Sequence, residues 1–502
     1  MRLIDLAALA FGVGWILAVL YPHFQFITEP AAQEINETAC WYPTWLLANH
    51  RNPFAVGELP GAACSFAPLY GYVVLAFSHW LGIGFGAHRL LNLIFLIGVF
   101  AIIVSHMRRL GSPWGIISVS IALLYFRCFQ NLMITARPDT LGWMLFLLAL
   151  FEPWAREYRP IPSWLGLLAS LLAFYCKGYF LVGAPIIIWG IFWHRSFREA
   201  FRAAAIFSGI FLLVLWVVDY RFPLFLIEGF IVQNETTRLN MHGFIARDHA
   251  LMLVQTGWPF LALIAVALVA WVTRVRLAGL WRRLVQAVAH GTCDPAERSW
   301  FVMGTVFAGM MVLVCVYLGQ NGGASFTYHL HLLYPLMFVL SAGLLRGNKT
   351  RIIVTAAVVL TLHLNSWIPN VPHSSAGHQR LAEIMKTKRD VVGSPLIMDI
   401  VLDQGQRVYF NGASNFLPAA TQYDWAQIYP ASYALQRRYE DVRDELMNGI
   451  RSRRFQAVFV LKEMGCELFP RELLAEYYTI NEEVPMPVEF DTEVVMQVWT
   501  PK

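Results

Sequence analysis

Long apolar stretches separated by short polar ones dominate the first 370 positions of the chain. Because a helix needs about 20 apolar residues to cross the hydrocarbon core of a bilayer, this pattern predicts about eleven spans. They run approximately over 4–22, 87–107, 113–132, 139–154, 162–177, 179–194, 201–219, 256–273, 299–318, 330–345 and 351–368. The expected fold class is therefore an all-α polytopic membrane protein.

The apolar stretch 67–85 is also long enough to cross, but the charge pattern argues against it. Short basic loops stay on the cytoplasmic side of a membrane. A crossing here would place the Arg108-Arg109 pair and every later basic cluster outside. We therefore expect an amphipathic helix on the outer surface, with the amino terminus cytoplasmic and the carboxyl terminus outside.

Two outward loops, 22–86 and 220–256, are too long to be simple turns. Loops of this length on a compact scaffold usually carry function. The longest cytoplasmic loop, 274–299, reads as a basic amphipathic helix that anchors the chain at the interface. Function is thus expected on the outward face.

The composition changes after about position 370. Short β-type runs at 395–402, 408–411, 457–461 and 494–500 alternate with helical stretches near 432–451 and 470–478. This alternation predicts a small α/β soluble domain. The chain accordingly divides into a membrane module, 1–370, and an outer, periplasmic domain, 371–502.

Composition supports the membrane assignment. Of the 502 residues, 57% are hydrophobic and 14% are charged, and the mean hydropathy is +0.51. These values lie outside the range of soluble globular proteins. The net charge of +5 reflects the cytoplasmic arginines, and no basic stripe interleaved with aromatic residues points to nucleic acid. The first apolar stretch has no small-residue cleavage site, which favours a retained helix over a removed signal peptide.

The seven cysteines form no CxxC pair and no metal-ligand spacing. Cys40 and Cys64 both fall in the first outward loop, where an oxidising periplasm would permit a disulfide between them. The spacing alone does not decide whether they pair.

Two carboxylates in the first outward loop are candidate bases. Glu34 and Glu37 are three positions apart and share a face if the segment is helical. A carboxylate near the membrane plane loses solvation, which favours its taking up a proton. A solvated loop face is the alternative.

A second group of candidates follows the third predicted span. Arg137 and Asp139 flank Pro138 and would present a cation and an anion at one depth, although Asp139 could simply cap the next helix. Lys177 lies between two apolar runs, where an ionisable group is a functional candidate by default. The alternative is that Lys177 extends its amine to the surface.

Further cations on the outward face could contact a phosphate. Arg89 opens the second span, and it serves either as an anchor or as a phosphate ligand. Arg221 and Arg238 belong to the second outward loop. His329 and His331 give a weak metal signal, because side chains two apart on a helix point in different directions.

The order of these elements resembles a known family. An acidic outward loop, a surface helix, an arginine opening the next span and a later Arg-Pro-Asp follow one another. The residues concerned are Leu46-Leu47, Asn52-Pro53-Phe54, Ala67-Pro68-Leu69-Tyr70, Arg89 and Arg137-Pro138-Asp139. This order is similar to that of the GT-C membrane glycosyltransferases, in the branch of the protein mannosyltransferases and lipid A aminoarabinose transferases. The similarity covers most of 1–370, and the outer domain resembles those of many bacterial members.

The resemblance implies roles for particular residues. Asn36-Glu37 falls within one position of the family's Asp-Glu pair, so Glu37 would be the base and Glu34 its substitute. Asp139 matches the acidic residue that members of this family carry in their own second outward loop. Lys177-Gly178 resembles the family's Lys-Gly, and Tyr328 resembles a tyrosine at the start of a late span. Where the family often has a basic residue before Pro-Leu-Tyr, this chain has Ser65-Phe66-Ala67.

The implied reaction transfers a sugar from a polyprenyl-phosphate donor to an acceptor hydroxyl at the outer face of a bacterial inner membrane. The acceptor could be a lipid, a polysaccharide or a protein, and no cofactor is certain. A divalent metal ion could bind Glu34, Glu37 and Asp139 together. A transporter or flippase of lipid-linked sugars is the main alternative, but it predicts charges at mid-membrane and repeat symmetry. An assembly protein whose outer domain binds a partner is a third reading.

Overall fold

The computed structural model describes residues 3–59, 61–62, 66–130, 133–227, 295–312, 332–336, 338–339, 375–409, 430–462, 469–488 and 492–502. The described helices in the segment that the sequence predicts to be the membrane module are α1 (Leu3–Thr28), α2 (Ile35–Ala48), α3 (Leu69–Leu81), α4 (Phe85–Arg109), α5 (Trp114–Gln130), α6 (Asp139–Ala155), α7 (Pro160–Phe174), α8 (Gly183–His194), α9 (Phe197–Arg221) and α10 (Pro295–Val312). Short 3-10 turns occupy Val56–Glu58 and Gly178–Val182.

Helices lie at the first seven predicted spans, and α10 covers the first part of the span predicted at 299–318. Three of the described helices are long and apolar enough to cross a membrane: Asp5–Thr28, Phe85–Arg109 and Phe197–Arg221. The other described helices are shorter, so the count of eleven spans is not confirmed. The spans predicted at 256–273, 330–345 and 351–368 fall wholly or largely outside the described residues.

Helix α1 is longer than the sequence predicted, because it continues through Pro22 to Thr28. A proline inside a helix removes one backbone hydrogen bond. Here tertiary contacts support the extra turns: His23 Nδ1 lies 2.8 Å from the hydroxyl of Tyr125 on α5, and Phe26 is fully buried. The first outward loop therefore begins after Thr28 rather than at Pro22.

The segment predicted to lie on the outer surface forms α3, which has only 13 residues. At 1.5 Å per residue it is about 20 Å long, less than the roughly 30 Å of a hydrocarbon core. It ends where Gly82 adopts a φ of 73°, a left-handed conformation that glycine reaches without a steric penalty.

The carboxyl-terminal segment that the sequence predicts to be the outer domain, for which we keep that name, contains a four-stranded sheet. Its helices are α11 (Ser375–Lys386), α12 (Met398–Asp403), α13 (Pro430–Arg451) and α14 (Arg471–Tyr477), and its strands are β1 (Val391–Val392), β2 (Ala457–Leu461), β3 (Tyr478–Val488) and β4 (Thr492–Pro501). The strand order is β1-β2-β4-β3, with β1 parallel to β2 and the other pairs antiparallel. All five residues of β2 are buried, as expected of a central strand.

The predicted helices near 432–451 and 470–478 and the strands at 457–461 and 494–500 are confirmed. The strand predicted at 395–402 is wrong, since this segment is a 3-10 turn followed by α12. Its buried residues Ile397, Ile400 and Val401 follow the three- and four-residue spacing of a helix face. Residues 408–409 lie in no strand, and 410–411 are outside the described residues. The long strand β3 was not predicted.

The outer domain packs directly on the first outward loop. Trp41, Tyr42 and Leu46 of α2 share one apolar cluster with Leu396 and Ile397. Arg438 of α13 donates hydrogen bonds to the carbonyls of Leu59, at 3.0 Å, and Gly57, at 3.3 Å. Helix α2 is therefore held between the membrane helices and the outer domain.

Candidate active site

The carboxylates of the first outward loop lie at the start of α2. Glu34 is the residue before the helix and is extended, with φ −149° and ψ 140°, whereas Glu37 lies in the first turn. The sequence predicted that the two would share a helix face if both were helical, and they do not, because Glu34 lies outside the helix. Both side chains are nevertheless buried, with 2% and 0% exposure. Negative charge at the amino end of a helix is favoured by the helix dipole.

Glu37 forms a bidentate ion pair with Arg89 of α4. Its Oε1 accepts from Nε of Arg89 at 2.9 Å, and its Oε2 accepts from Nη2 at 2.6 Å. The same oxygens also accept from the backbone amides of Gln33, at 2.8 Å, and Ala136, at 2.7 Å. Four hydrogen bonds, two of them from a cationic guanidinium, therefore fix the position of this carboxylate.

Arg89 uses every donor that its guanidinium offers. Beside the two bonds to Glu37, it donates to the carbonyls of Phe26, Glu29 and Ala31 at 3.0, 2.6 and 2.8 Å. A guanidinium has five N–H groups, so none remains for a ligand. Arg89 thus ties the end of α1 and the following turn to α2 and α4. The sequence left open whether Arg89 is an anchor or a phosphate ligand, and in this structure its donors all bind protein oxygens.

The turn that carries Arg137 is fixed from two sides. Ala136 donates its amide to Glu37, and Asn92 of α4 donates its side-chain amide to the carbonyls of Thr135 and, at 2.9 Å, Arg137. Ala136 is also fully buried in the cluster that α2 shares with the outer domain. Arg137 and Asp139 are therefore placed by α2, α4 and the outer domain together.

Beyond this turn, anions and cations alternate in a row that we call the rim row: Glu34, Arg137, Asp139 and Lys177. Arg137 Nη1 lies 3.4 Å from Glu34 Oε1, and Arg137 Nε lies 3.3 Å from Asp139 Oδ2. Lys177 Nζ donates to Asp139 Oδ1 at 2.8 Å. Asp139 lies in the first turn of α6 and does not cap the helix. Its carboxylate instead contacts the two cations, Arg137 and Lys177.

Aromatic rings cover the cations of the rim row. The ring of Phe66 lies 5.9 Å from the guanidinium carbon of Arg137 and 5.2 Å from Nζ of Lys177. Tyr179 lies 5.4 Å from the same amine and donates its hydroxyl to Asp139 at 3.3 Å. Such faces attract cations, so Phe66 stabilises the charges of both Arg137 and Lys177.

Access to the rim row is unequal. The side chain of Arg137 is 13% exposed and that of Lys177 is 7% exposed, whereas those of Glu34 and Asp139 are 2% and 1% exposed. Arg137 is thus the most accessible group of the rim row, whereas Lys177 is buried and the two carboxylates are buried still more deeply. An anion that reaches the rim row would therefore meet Arg137 first.

The remaining predicted residues lie apart from the rim row or outside the described part of the chain. Arg221 ends α9, is exposed, and has its guanidinium carbon 5.4 Å from the ring centre of Phe222. Arg238 and Tyr328 fall outside the described residues, as does Cys64, so a Cys40–Cys64 disulfide remains a prediction. Within the described ranges, no three His, Cys, Asp or Glu side chains are grouped to hold a metal ion.

Sequence reasoning did not identify Asn92, Phe66 or Tyr179 as part of this site. Asn92 carried a usable signal, because a polar side chain inside an otherwise apolar span needs a partner. Phe66 and Tyr179 carried none, since aromatic residues are common throughout the chain, at 14% of its positions.

No protein-family model matches the sequence, and no curated protein matches it. Two solved structures align with nearly the whole chain. One is ArnT from Cupriavidus metallidurans in the apo state, with 12% identity, a TM-score of 0.42 and 98% of each chain covered. The other is the same protein bound to undecaprenyl phosphate, with 9% identity, a TM-score of 0.37 and 97% of this chain and 98% of that chain covered.

Proposed function

We propose that this chain is a membrane glycosyltransferase that moves a sugar from a polyprenyl-phosphate donor to an acceptor hydroxyl at the outer face of a bacterial inner membrane. The observation that carries the proposal is the rim row, in which the partly exposed Arg137 contacts both Glu34 and Asp139, and the buried Lys177 contacts Asp139. Charged groups in this order suit the binding of a phosphate beside a carboxylate.

In this reaction the bond between the anomeric carbon and the phosphate oxygen breaks, and negative charge grows on the phosphate. Arg137 and Lys177 would stabilise that charge, because preorganised cations act most strongly where water is scarce. Asp139 would position both cations and would not itself react, since its oxygens already face Lys177, Tyr179 and Arg137.

The acceptor oxygen forms the new bond to the anomeric carbon, and its proton must pass to a base. We assign this role to Glu34 rather than to Glu37. Glu37 is held by a bidentate guanidinium and two backbone amides, whereas the ion pair of Glu34 with Arg137 is longer, at 3.4 Å. Each oxygen of Glu37 already accepts two hydrogen bonds, which leaves no acceptor site for an incoming hydroxyl. Glu37 would be a positioning residue that fixes Ala136 and Arg89.

Transfer of labelled sugar tests the proposal. The donor is first identified as the polyprenyl-phosphate sugar that co-purifies with the protein, by mass spectrometry of a lipid extract, and is then used as substrate. Because general-base catalysis contributes about 10²–10⁴-fold, Glu34→Gln should lower the transfer rate by that factor. Glu152→Gln is the matched control, since Glu152 is 35% exposed and lies near the far end of α6. Undiminished transfer by Glu34→Gln would remove Glu34 from the role.

A further inference from the structure

The outer domain contains a basic cavity that the proposed reaction does not use. It encloses about 590 Å³ and is bordered by the end of α11, the turn leading into β1, and the segment that follows α12. We call it the outer cleft. Five cationic side chains line it, namely Lys386, Lys388, Arg389, Arg407 and Arg454.

The charge of the outer cleft is only partly balanced. Asp390 also lines it, and Glu445 binds Arg407 at 2.9 Å and Arg454 at 3.3 Å. Among the residues that the structure describes, Lys386, Lys388 and Arg389 form no ion pair. Five cations thus face two carboxylates. The three cations that form no ion pair within the described residues, Lys386, Lys388 and Arg389, lie on one wall, which we call the lysine wall.

The walls of the outer cleft are preorganised. Gln406 accepts from the amide of Val391 at 2.9 Å and donates to the carbonyl of Lys388 at 3.1 Å, which fixes the turn that carries the lysine wall. On the opposite wall, Arg454 donates to the hydroxyl of Tyr409 at 3.2 Å. Glu445 orients both arginines, and their side chains remain 44% and 43% exposed. The cations therefore keep their donors near solvent.

The outer cleft continues toward the membrane module. An adjoining cavity of about 320 Å³ shares Gln406, Arg407 and Tyr409 with it and reaches Arg51 and Arg438 beside the first outward loop. Glu58 also lines this cavity and pairs with Arg51, so Arg407 and Arg438 supply its remaining positive charge. A ligand with more than one negative group would contact cations along this path.

We propose that the outer cleft binds a ligand carrying phosphate groups, with the lysine wall supplying the unpaired charge. Arginine and lysine are the usual partners of phosphate, and fixed cations concentrate anions at a cavity of this kind. The phosphate could belong to the headgroup of a membrane lipid or to a soluble compound. The inference is independent of the transferase proposal, because binding requires no turnover.

Calorimetric titration of inorganic pyrophosphate into the full chain in phosphatidylcholine nanodiscs tests the inference. The wild type should show one saturable site. The triple variant Lys386→Gln, Lys388→Gln, Arg389→Gln should bind at least tenfold more weakly. The matched triple variant Arg443→Gln, Arg451→Gln, Lys462→Gln removes the same charge from exposed residues outside the cleft and should stay within twofold of the wild type.

Absence of saturable binding in the wild type, or an equal loss in both triple variants, would overturn the inference. Native mass spectrometry of phosphatidylglycerol nanodiscs then separates the two sources of phosphate. If the wild type retains a phospholipid and the lysine-wall variant loses it, the phosphate bound in the outer cleft belongs to a lipid headgroup. If both proteins retain phospholipid equally and the variant binds pyrophosphate more weakly, the ligand of the outer cleft is a soluble phosphate compound.

Discussion

Arg89 and Glu37 meet in a bidentate ion pair, at 2.9 and 2.6 Å, although 52 positions separate them in the chain. Neither side chain has any exposure to solvent. The pair joins α4 to α2, and the other donors of Arg89 hold the turn between α1 and α2. The start of α2 is therefore fixed by one side chain from another helix.

We predict that Arg89→Ala destabilises the protein strongly. Removing one partner of a buried ion pair leaves the other charge uncompensated, which costs about 3–5 kcal/mol. The thermal unfolding midpoint of the solubilised protein should fall clearly. Arg51→Ala is the control, because Arg51 pairs with Glu58 while 47% exposed, and such pairs contribute about 1 kcal/mol or less. Equal midpoints for the two variants would refute the structural role of Arg89.

We predict that Arg137→Gln lowers the rate of sugar transfer rather than the stability of the protein. If its guanidinium stabilises the departing phosphate, the rate of sugar transfer should fall by about 10²–10³-fold, the usual effect of removing one such donor. Arg202→Gln provides the matched control, since Arg202 is an exposed arginine on α9 and belongs to neither the rim row nor the outer cleft. A transfer rate within a few-fold of the wild type for Arg137→Gln would exclude the assignment.

The stability of the outer domain should depend on pH through His378. Its Nε2 lies 2.8 Å from Oδ2 of Asp399. Burial alone would lower the pKa of His378, but the hydrogen bond and the charge of Asp399, with smaller contributions from Glu29 and Asp403, raise it above the usual value. A raised pKa in the folded state contributes stability that is complete below about pH 6.5 and is lost as the pH rises through the folded-state pKa.

Hydrogen exchange at the β2 and β4 amides measures this effect. The wild type should be better protected than His378→Gln at pH 6, and the difference between the two should shrink by pH 8.5. Comparing both proteins at each pH cancels the intrinsic pH dependence of exchange. A difference that stays constant from pH 6 to pH 8.5 would show that the charge of His378 is not involved.

Arg438→Ala should loosen the contact between the outer domain and the first outward loop. The substitution removes two hydrogen bonds from a guanidinium to the carbonyls of Leu59 and Gly57, and bonds to charged groups contribute about 1.5–3 kcal/mol each. Faster amide exchange is expected over Val56–Glu58. Arg437→Ala is the neighbouring control, since Arg437 lies over the ring of Tyr433 on the same helix. Unchanged exchange in Arg438→Ala would show that apolar packing alone maintains the contact.

Local patterns were enough to locate most of the helices. The positions of α4 through α9 follow from apolar stretches whose lengths and limits are visible in the chain. The same reasoning ended α1 too early at Pro22 and predicted a strand where α12 forms. In both places tertiary packing outweighs the local signal, because buried contacts contribute more free energy than one proline or one β-branched run.

The sequence by itself determined that charge is sparse in this chain and that Glu34, Glu37, Arg137, Asp139 and Lys177 are its notable polar positions. Residue type and apolar context suffice for that, since an ionisable group beside a span is costly wherever it points. Only the tertiary structure decided how these groups are paired. Glu37 forms an ion pair with Arg89, whereas Glu34 and Asp139 both form ion pairs with Arg137. These partners are brought together by helices far apart in the chain, and no local spacing encodes a contact of that range.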